Sequence, residues 1–224
     1  MAQFVRPEPE RPVPTETTNV GTGISVASPA PLGLSMLAFT TALVGCFYAG
    51  FIIPYGVSSI RTAVGAFILV GGIILVLAGM WEFRKNYLMT STTFTSYGGF
   101  LAALGILFMP NFGIQGVLAG SGYMHLVMGL FFLCWTIFTG VLWVGATRTN
   151  VSMLATLGLL FIAFLFLTIG QLADGNIVLL IIGGWFAIAC AIVAWLSSLA
   201  SILSSSARQG NFRIPMGKRL AVVE

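Results

Sequence analysis

The sequence predicts an all-α membrane protein built as a bundle of six transmembrane helices. Of its 224 residues, 58% are hydrophobic and 7% are charged, whereas a soluble domain carries about 25% charged residues. Six apolar windows of about 20 residues, the length that a helix needs to cross the hydrocarbon core, follow one another along the chain. These runs are too long and continuous for barrel strands, and a helix satisfies its own backbone hydrogen bonds in lipid.

Polar and helix-breaking residues separate the predicted spans, which lie at about 33–53, 62–81, 92–110, 123–145, 151–171 and 176–200. The breaks contain proline, glycine or charged residues, and they fall at 54–56, 82–86, 110–113, 148–150 and 173–176. Three segments follow from this pattern. We expect a disordered cytoplasmic N-terminal tail at 1–27, a six-helix transmembrane domain at 28–203, and a basic cytoplasmic C-terminal tail at 204–224.

Two prolines mark the start of the first span, in the segment Ser28-Pro29-Ala30-Pro31-Leu32-Gly33-Leu34. Proline fixes φ and lacks an N–H donor, so a helix tolerates it in the first turn and not further in. The segment, which we call the opening motif, therefore predicts a stiff turn at which the first helix begins.

Paired small residues occur inside three of the spans, as Gly71-Gly72, Gly98-Gly99 with Ala102-Ala103, and Gly183-Gly184. Small residues four positions apart let two helices approach closely. We interpret these pairs as packing positions within the bundle.

The third span opens on a run of hydroxyl-bearing side chains, in which seven of the eight residues from Thr90 to Tyr97 carry a hydroxyl. On a helix, Thr93 shares a face with Tyr97. Hydroxyls can donate hydrogen bonds to a carboxylate without adding a fixed charge, which suits a small organic anion that must also leave. The other interpretation is that these side chains bond back to helix carbonyls or to neighbouring helices. The spacing does not separate the two.

Few ionisable residues lie near the spans. His125, the one histidine of the chain, opens the fourth span. An intramembrane ionisable group favours a functional role, but this position near the end of a span also suits contact with lipid headgroups or with another subunit. Glu82, together with Arg84 and Lys85, is interpreted as an interfacial anchor and ion-pair group.

Catalytic patterns are missing from the sequence. It has no paired carboxylates at membrane depth, no cluster of His, Cys and Asp with metal-ligand spacing, and no glycine-rich loop followed by a phosphate-binding lysine. The sequence therefore argues against an enzyme, and it predicts neither a metal nor a cofactor.

Positive charge predicts the orientation of the spans. Nine of the ten Lys and Arg residues fall on the side of both termini: Arg6, Arg11, Arg84, Lys85, Arg148, Arg208, Arg213, Lys218 and Arg219. The other side has Arg61 alone. Cytoplasmic loops carry an excess of Lys and Arg, so we expect a multi-pass protein of the cell membrane (plasma or inner) with both termini in the cytoplasm. The scattered charges form no basic stripe of the kind that binds nucleic acid.

Three motifs give the chain a resemblance to a known family. Residues 29–34 match the family's opening Asn-Pro-Ala-Pro-Leu-Gly-Leu, with Ser28 in place of its Asn. Residues 77–84 match the end of its second helix, and residues 94–98 match its Phe-(Thr/Ser)-Ser-Tyr-Gly. From about residue 28 to 217, the chain thus resembles the acetate uptake transporter family, which includes bacterial succinate–acetate permeases and related fungal proteins.

The resemblance implies a six-helix protomer with its own pathway, assembled as a homohexamer that passes acetate and sometimes succinate. It also implies a hydrophobic constriction at Leu37, Tyr97 and Leu160, with Leu37 standing where the family has Phe. The opening motif and nearby hydroxyls become candidate pore-lining or substrate-binding positions. These are Pro29, Pro31, Leu32, Gly33, Leu34, Thr40, Thr41, Thr93 and Ser96.

The leading hypothesis is transport of acetate and related short-chain carboxylates through a channel-like pathway, with or without a proton. A monocarboxylate carries one charge and costs less to desolvate than a dicarboxylate, so acetate ranks above succinate. One alternative is a membrane sensor of acetate or ammonium state that passes no flux. Another is a pore for a neutral solute or a different ion.

Overall fold

A computed structural model describes residues 27–52, 58–109, 112 and 114–206. Almost all of the two predicted tails lies outside the described residues. The proline- and glycine-containing break at 54–56 lies outside them as well, and so do residues 110, 111 and 113 of the break at 110–113.

Seven helices make up the described part of the chain. In order they are α1 (Ala30–Ala49), α2 (Ser58–Phe83), α3 (Leu88–Phe108), α4 (Ile114–Ser121), α5 (Met124–Ala146), α6 (Val151–Leu172) and α7 (Ile177–Ser206). All except α4 are long and apolar enough to cross a membrane. The predicted all-α bundle of six spans is therefore confirmed.

The helix bounds differ from the predicted spans at several ends; α1, for example, covers residues 30–49 rather than about 33–53. The eight-residue α4 is not predicted, because a search for windows of membrane length passes over so short a helix. The third helix begins at Leu88 rather than at about 92, so the hydroxyl-rich run forms its first turns. The last helix continues to Ser206, beyond the predicted end at about 200, and in this extension the Ser204 hydroxyl donates to the carbonyl of Ala200.

Local hydrogen bonds define where the helices begin. The N–H of Gly33 donates to the carbonyl of Pro29 at 3.0 Å, so α1 starts within the opening motif as predicted. Asn150 begins α6, because its side-chain oxygen accepts the N–H of Met153 at 2.9 Å. The side-chain oxygen of Asn176 accepts the N–H of Val178 at 3.1 Å at the start of α7.

Glycines bring two pairs of helices into close contact. A Cβ added to Gly72 of α2 would lie 2.7 Å from the carbonyl oxygen of Gly98 and 2.7 Å from the backbone nitrogen of Ala102, both in α3. A Cβ added to Gly45 of α1 would lie 2.9 Å from the carbonyl oxygen of Gly184 in α7. Small residues thus serve as packing positions between α2 and α3 and between α1 and α7.

Both ends of the bundle can be identified from contacts. The start of α1 meets the end of α7, where the Ser198 hydroxyl donates to the carbonyl of Pro31 at 2.8 Å. The α2–α3 and α5–α6 turns lie at the same end, since both line one surface depression. Because Arg84, Lys85 and Arg148 lie in these two turns, we call this the basic end.

Candidate functional site

Three helices bring Leu37, Tyr97 and Leu160 together around one small cavity near their midpoints. The three side chains are 2%, 1% and 2% exposed. The cavity measures about 10 Å³, roughly the space that one water molecule needs. Its remaining lining residues are Thr41, Val44, Phe100, Leu101, Phe164, Leu167 and Ala187. The space, which we call the narrow cavity, is almost wholly apolar and is closed to a molecule as large as acetate.

Adjacent threonines of α1 make different contacts. Thr41 lines the narrow cavity, and its hydroxyl has no hydrogen-bond partner among the described residues. Thr40 is fully buried, donates to the carbonyl of Met36 at 2.7 Å and packs against Gly71 of α2. A threonine that bonds its own helix has no proton left to donate. Of the two predicted threonines, Thr41 alone therefore offers a donor to a molecule in the narrow cavity.

The hydroxyl of Tyr97 is bonded to α5. It donates to Oγ1 of Thr139 at 2.7 Å, and the Thr139 hydroxyl in turn donates to the carbonyl of Trp135 at 2.6 Å. Aromatic neighbours hold the ring, with the ring centroids of Trp135 and Phe164 at 5.8 Å and 6.3 Å. The ring of Tyr97 thus forms an aromatic wall of the narrow cavity, while its hydroxyl proton is engaged in the hydrogen bond to Thr139 of α5.

A larger polar cavity of about 150 Å³ lies next to the narrow cavity on the side of the basic end. On each of three helices, a residue that lines the polar cavity lies one turn nearer the basic end than a residue that lines the narrow cavity. The pairs are Leu34 and Leu37, Phe94 and Tyr97, and Thr156 and Leu160. Its polar lining residues are Thr90, Thr149, Asn150, Ser152, Thr156, Ser197 and Ser201. The two spaces are therefore stacked along the bundle.

The protons of most hydroxyls in the polar cavity are already used. Thr149, Thr156 and Ser201 donate to carbonyls at 2.8, 2.9 and 2.8 Å. Asn150 uses its side-chain oxygen as the cap of α6, which leaves its amide N–H groups as donors. The hydroxyl of Thr90 has no partner among the described residues. A few neutral donors beside a helix N-terminus can attract an anion weakly.

Towards the basic end, the polar cavity adjoins a wide surface depression of about 380 Å³. The two spaces share Met89, Thr90, Thr149 and Asn150 as lining residues. Arg148 is the charged residue in the lining of the depression, and its side chain is exposed. Positive charge therefore stands at the mouth of the stacked cavities.

The opening motif contributes two residues to these spaces, Ala30 and Leu34, and both line the polar cavity. Gly33 packs against the ring of Phe94, another residue of that lining. The side chain of Leu32 is 49% exposed and lines neither cavity.

The two prolines of the opening motif hold α1 in place. The carbonyl of Pro29 accepts the first helical hydrogen bond of α1. The carbonyl of Pro31 accepts the hydroxyl of Ser198, which lies 2.7 Å from the Ser35 hydroxyl. Pro29 and Pro31 therefore position the helix and do not line the cavities.

Thr93 and Ser96 of α3 line neither cavity. The face of α3 that turns to the cavities carries Thr90, Phe94 and Tyr97, which follow helical spacing. Thr93 lies off this face, is fully buried and donates to the carbonyl of Met89 at 2.7 Å. The back-bonding interpretation holds for Thr93.

Glu82 lies in the last turn of α2, at the basic end, and is buried, with 1% of its surface exposed; its role as an interfacial anchor and ion-pair group stays a prediction. Its carboxylate accepts the backbone N–H of Ala30, the first residue of α1, and Lys85 lies nearby. Its Oε1 atom has no hydrogen-bond partner in the described part of the chain. A carboxylate at a helix N-terminus is favourable, and here it ties the end of α2 to the start of α1.

His125 lies at the end of the bundle opposite the basic end, away from both cavities. Its side chain is exposed, and Nδ1 lies 2.9 Å from Oε1 of Gln171 in α6. The ring also touches Gly175 in the α6–α7 turn. His125 therefore connects α5 to the end of α6.

Two features of the site escape the sequence reasoning. The polar cavity draws Ser152 and Thr156 from α6 and Ser197 and Ser201 from α7. Each pair is spaced four residues apart within an apolar run, a signal that the sequence does contain. The partner of Tyr97, Thr139, is a mid-span threonine that carries no local signal.

The chain matches the model of the GPR1/FUN34/yaaH family over residues 15–216. It is 32% identical over 190 residues to acetate permease A of Emericella nidulans, which covers 80% of this chain and 63% of that protein. It is 29% identical over 194 residues to the succinate-acetate/proton symporter SatP of Escherichia coli, which covers 86% of this chain and 96% of that protein. The chain spans between 59% and 63% of the length of the fungal relatives that it matches.

A solved structure described as that of the bacterial acetate channel SatP has the same fold. Its TM-score with this chain is 0.69 at 28% sequence identity, and the match covers 86% of this chain and 99% of that one. The six long helices therefore have the arrangement of a solved membrane channel.

Proposed function

The chain belongs to the GPR1/FUN34/yaaH family, and from this membership we propose that it transports acetate and related short-chain carboxylates across a membrane. It is a multi-pass membrane protein. Like the channel and the transporters that it resembles, it is not an enzyme. The observation that carries the proposal is the stack of a polar cavity of about 150 Å³ on a narrow cavity of about 10 Å³.

We propose that Leu37, Tyr97 and Leu160 form the constriction of the pathway. Moving an ion into an apolar space costs several kcal/mol or more, so an apolar narrowing limits the passage of any anion. The polar cavity offsets part of that cost on one side, and Thr41 offers one hydrogen bond within the narrow cavity. A monocarboxylate has one charge to desolvate, which favours acetate over succinate.

We propose that the basic end faces the cytoplasm in the cell membrane, with both termini on that side. Arg84, Lys85 and Arg148 support this orientation through the positive-inside rule. Arg61, the expected exception, has a side chain outside the described part of the chain. A tag placed at either terminus is expected to resist protease added to intact cells and to be cleaved after the cells are opened.

We propose a homohexamer with one pathway per protomer. Both cavities lie inside one helix bundle, between α1, α3, α6 and α7, so a separate pathway in each copy would run within its own bundle. Gly99 and Ala103 on α3 are exposed, and nothing in the described residues approaches the Cβ position of Gly99 within 4 Å. Such spacing lets helices of neighbouring copies approach closely. Native mass measurement of the detergent-solubilised protein is expected to give six copies.

Uptake of labelled acetate by liposomes that contain the purified protein tests the function. The assay is run at a pH where acetate is ionised, because neutral acetic acid crosses bilayers unaided, and protein-free liposomes measure that leak. We expect protein-dependent uptake that excess unlabelled acetate suppresses. Uptake equal to that of protein-free liposomes would exclude transport, and saturable acetate binding without flux would favour a sensor.

Two further arms refine the result. Formate, urea and ammonium as competitors separate a carboxylate pathway from a pore for neutral solutes or cations. An inward proton gradient, with the membrane potential clamped, separates proton-linked from passive transport, because it raises the rate of protein-dependent acetate uptake only where a proton travels with the anion.

A further inference from the structure

The wall of the constriction contains the hydroxyl of Tyr97, which donates its hydrogen bond to a residue outside the lining of the narrow cavity. Tyr97 is 1% exposed and lines the narrow cavity, and its hydroxyl lies 2.7 Å from Oγ1 of Thr139. Thr139 is itself fully buried on α5 and is not part of the cavity lining. The bond therefore joins the wall of the constriction to a helix behind it.

The direction of this bond follows from counting protons. The carbonyl of Trp135 can only accept, so the hydroxyl of Thr139, 2.6 Å away, must donate to it. Thr139 then has no proton left, and the bond between the two side chains must be donated by Tyr97. In this arrangement the Tyr97 oxygen presents only lone pairs to its other neighbours, which repel a carboxylate.

We propose that Thr139 acts as a latch on the constriction, and that an anion passes when Tyr97 exchanges its hydrogen bond to Thr139 for one to the substrate carboxylate. This inference rests on the proposed transport function. Neighbouring aromatic rings hold the Tyr97 ring, so the exchange turns the O–H bond about the Cζ–O axis. It lowers the electrostatic cost of an anion at the constriction, and passage also requires the lining side chains to move apart. Thr139 is a positioning residue in this scheme, because it acts through Tyr97.

Thr139→Val tests the latch, because valine has nearly the same shape as threonine and no acceptor. A net hydrogen bond contributes about 0.5–1.5 kcal/mol, so its loss from the closed state is expected to raise the rate of acetate uptake about two- to tenfold. Thr139→Ser keeps the acceptor and is expected to behave as the parent protein.

Thr136→Val is the matched control. Thr136 lies one turn away on α5 and is 5% exposed; it donates to the carbonyl of Phe132 at 2.8 Å and lies 3.0 Å from the Thr168 hydroxyl. This variant also removes a buried hydroxyl pair between helices but does not touch Tyr97. Uptake by Thr136→Val is expected to equal that of the parent.

A double-mutant cycle with Tyr97→Phe isolates the bond itself. Without the tyrosine hydroxyl there is no hydrogen bond to Thr139 to break, so Thr139→Val is expected to have no effect on acetate uptake in the Tyr97→Phe background. An equal rise in both backgrounds would overturn the latch, and so would unchanged uptake by Thr139→Val in the otherwise unaltered protein.

Infrared spectroscopy gives a readout that does not depend on flux. The C–O stretching band of Tyr97, identified as the band that Tyr97→Phe lacks, is expected to shift when acetate is added to the parent protein. Absence of a shift in a protein that transports acetate would overturn the latch. A shift without uptake above protein-free liposomes would overturn the transport function while retaining the exchange of partners at Tyr97.

Discussion

The narrow cavity and the polar cavity are one helical turn apart, and α1, α3, α6 and α7 contribute to both, yet they differ in size and chemistry. One measures about 10 Å³ and is lined almost wholly by apolar side chains such as Leu37 and Leu160, whereas the other measures about 150 Å³ and combines hydroxyls and Asn150 with apolar residues such as Leu34. A small change of depth along the same helices thus separates a space with several polar lining groups from one that is almost wholly apolar.

The two cavities therefore have different roles in the proposed pathway. A carboxylate in the polar cavity can find neutral donors, while at the constriction it loses most of its hydration. The free-energy cost of an unpaired ion in an apolar space amounts to several kcal/mol or more, so on the proposed pathway we expect passage through the narrow cavity to limit the rate. Substitutions there are expected to change flux more than substitutions near the polar cavity.

Filling the narrow cavity is expected to have the largest effect. Leu160→Trp adds far more volume than the cavity offers, and overpacking costs about 1–3 kcal/mol even after relaxation. Acetate uptake is expected to fall to the level of protein-free liposomes. Leu165→Trp, on the outer face of the same helix where the side chain is 38% exposed, is the matched control. If Leu160→Trp transports as well as this control, the constriction lies elsewhere.

The adjacent threonines of α1 give the next largest effect. Thr41→Val removes a hydroxyl that lines the narrow cavity. A hydrogen bond to a charged group contributes about 1.5–3 kcal/mol, so uptake is expected to fall about tenfold or more. Thr40→Val removes a hydroxyl that bonds the carbonyl of Met36 and is expected to transport within about twofold of the parent. Equal losses in the two variants would contradict the assignment of Thr41 to the pathway.

Charge at the mouth of the polar cavity is expected to have the smallest effect of the three. Arg148→Gln removes the exposed positive charge of the wide depression, and exposed charge interactions amount to about 0.2–1 kcal/mol. The KM for acetate is expected to rise about two- to fivefold at low salt, and the difference should shrink at high salt.

Two variants control this last measurement. Arg148→Lys keeps the charge and is expected to behave as the parent. Arg84→Gln removes a charge from the same end of the bundle, but Arg84 lies over the Trp81 ring at 5.2 Å and lines neither cavity. A rise in KM that Arg84→Gln reproduces would indicate a general effect of surface charge.

The fold could be predicted from the sequence because hydrophobic length reports directly on spans. All six long helices correspond to predicted windows, and their ends follow proline, asparagine and glycine signals such as those at Pro29 and Asn150. The short α4 could not be predicted in this way, because eight residues fall below the length on which the method depends.

The candidate site could be predicted only in part. Leu37, Tyr97 and Leu160, suggested by family resemblance, do surround one cavity. Counting the hydroxyl-bearing residues of α3 overestimates how many of them line the cavities, because the count does not show which face of the helix is turned to them. Thr93 lies off that face and donates to its own helix. The polar cavity could not be assembled from local pattern, since Ser152 and Ser197 meet only when α6 packs against α7.

The pairing of the first and last spanning helices has a consequence for biosynthesis. Gly45 and Gly184 join α1 to α7, so this contact closes only after the ribosome has made nearly the whole chain. Because Leu37 of α1 and Ala187 of α7 both line the narrow cavity, a partly synthesised chain cannot complete the lining of that cavity. The narrow cavity is therefore complete only after α7, the last of the described helices, has been inserted.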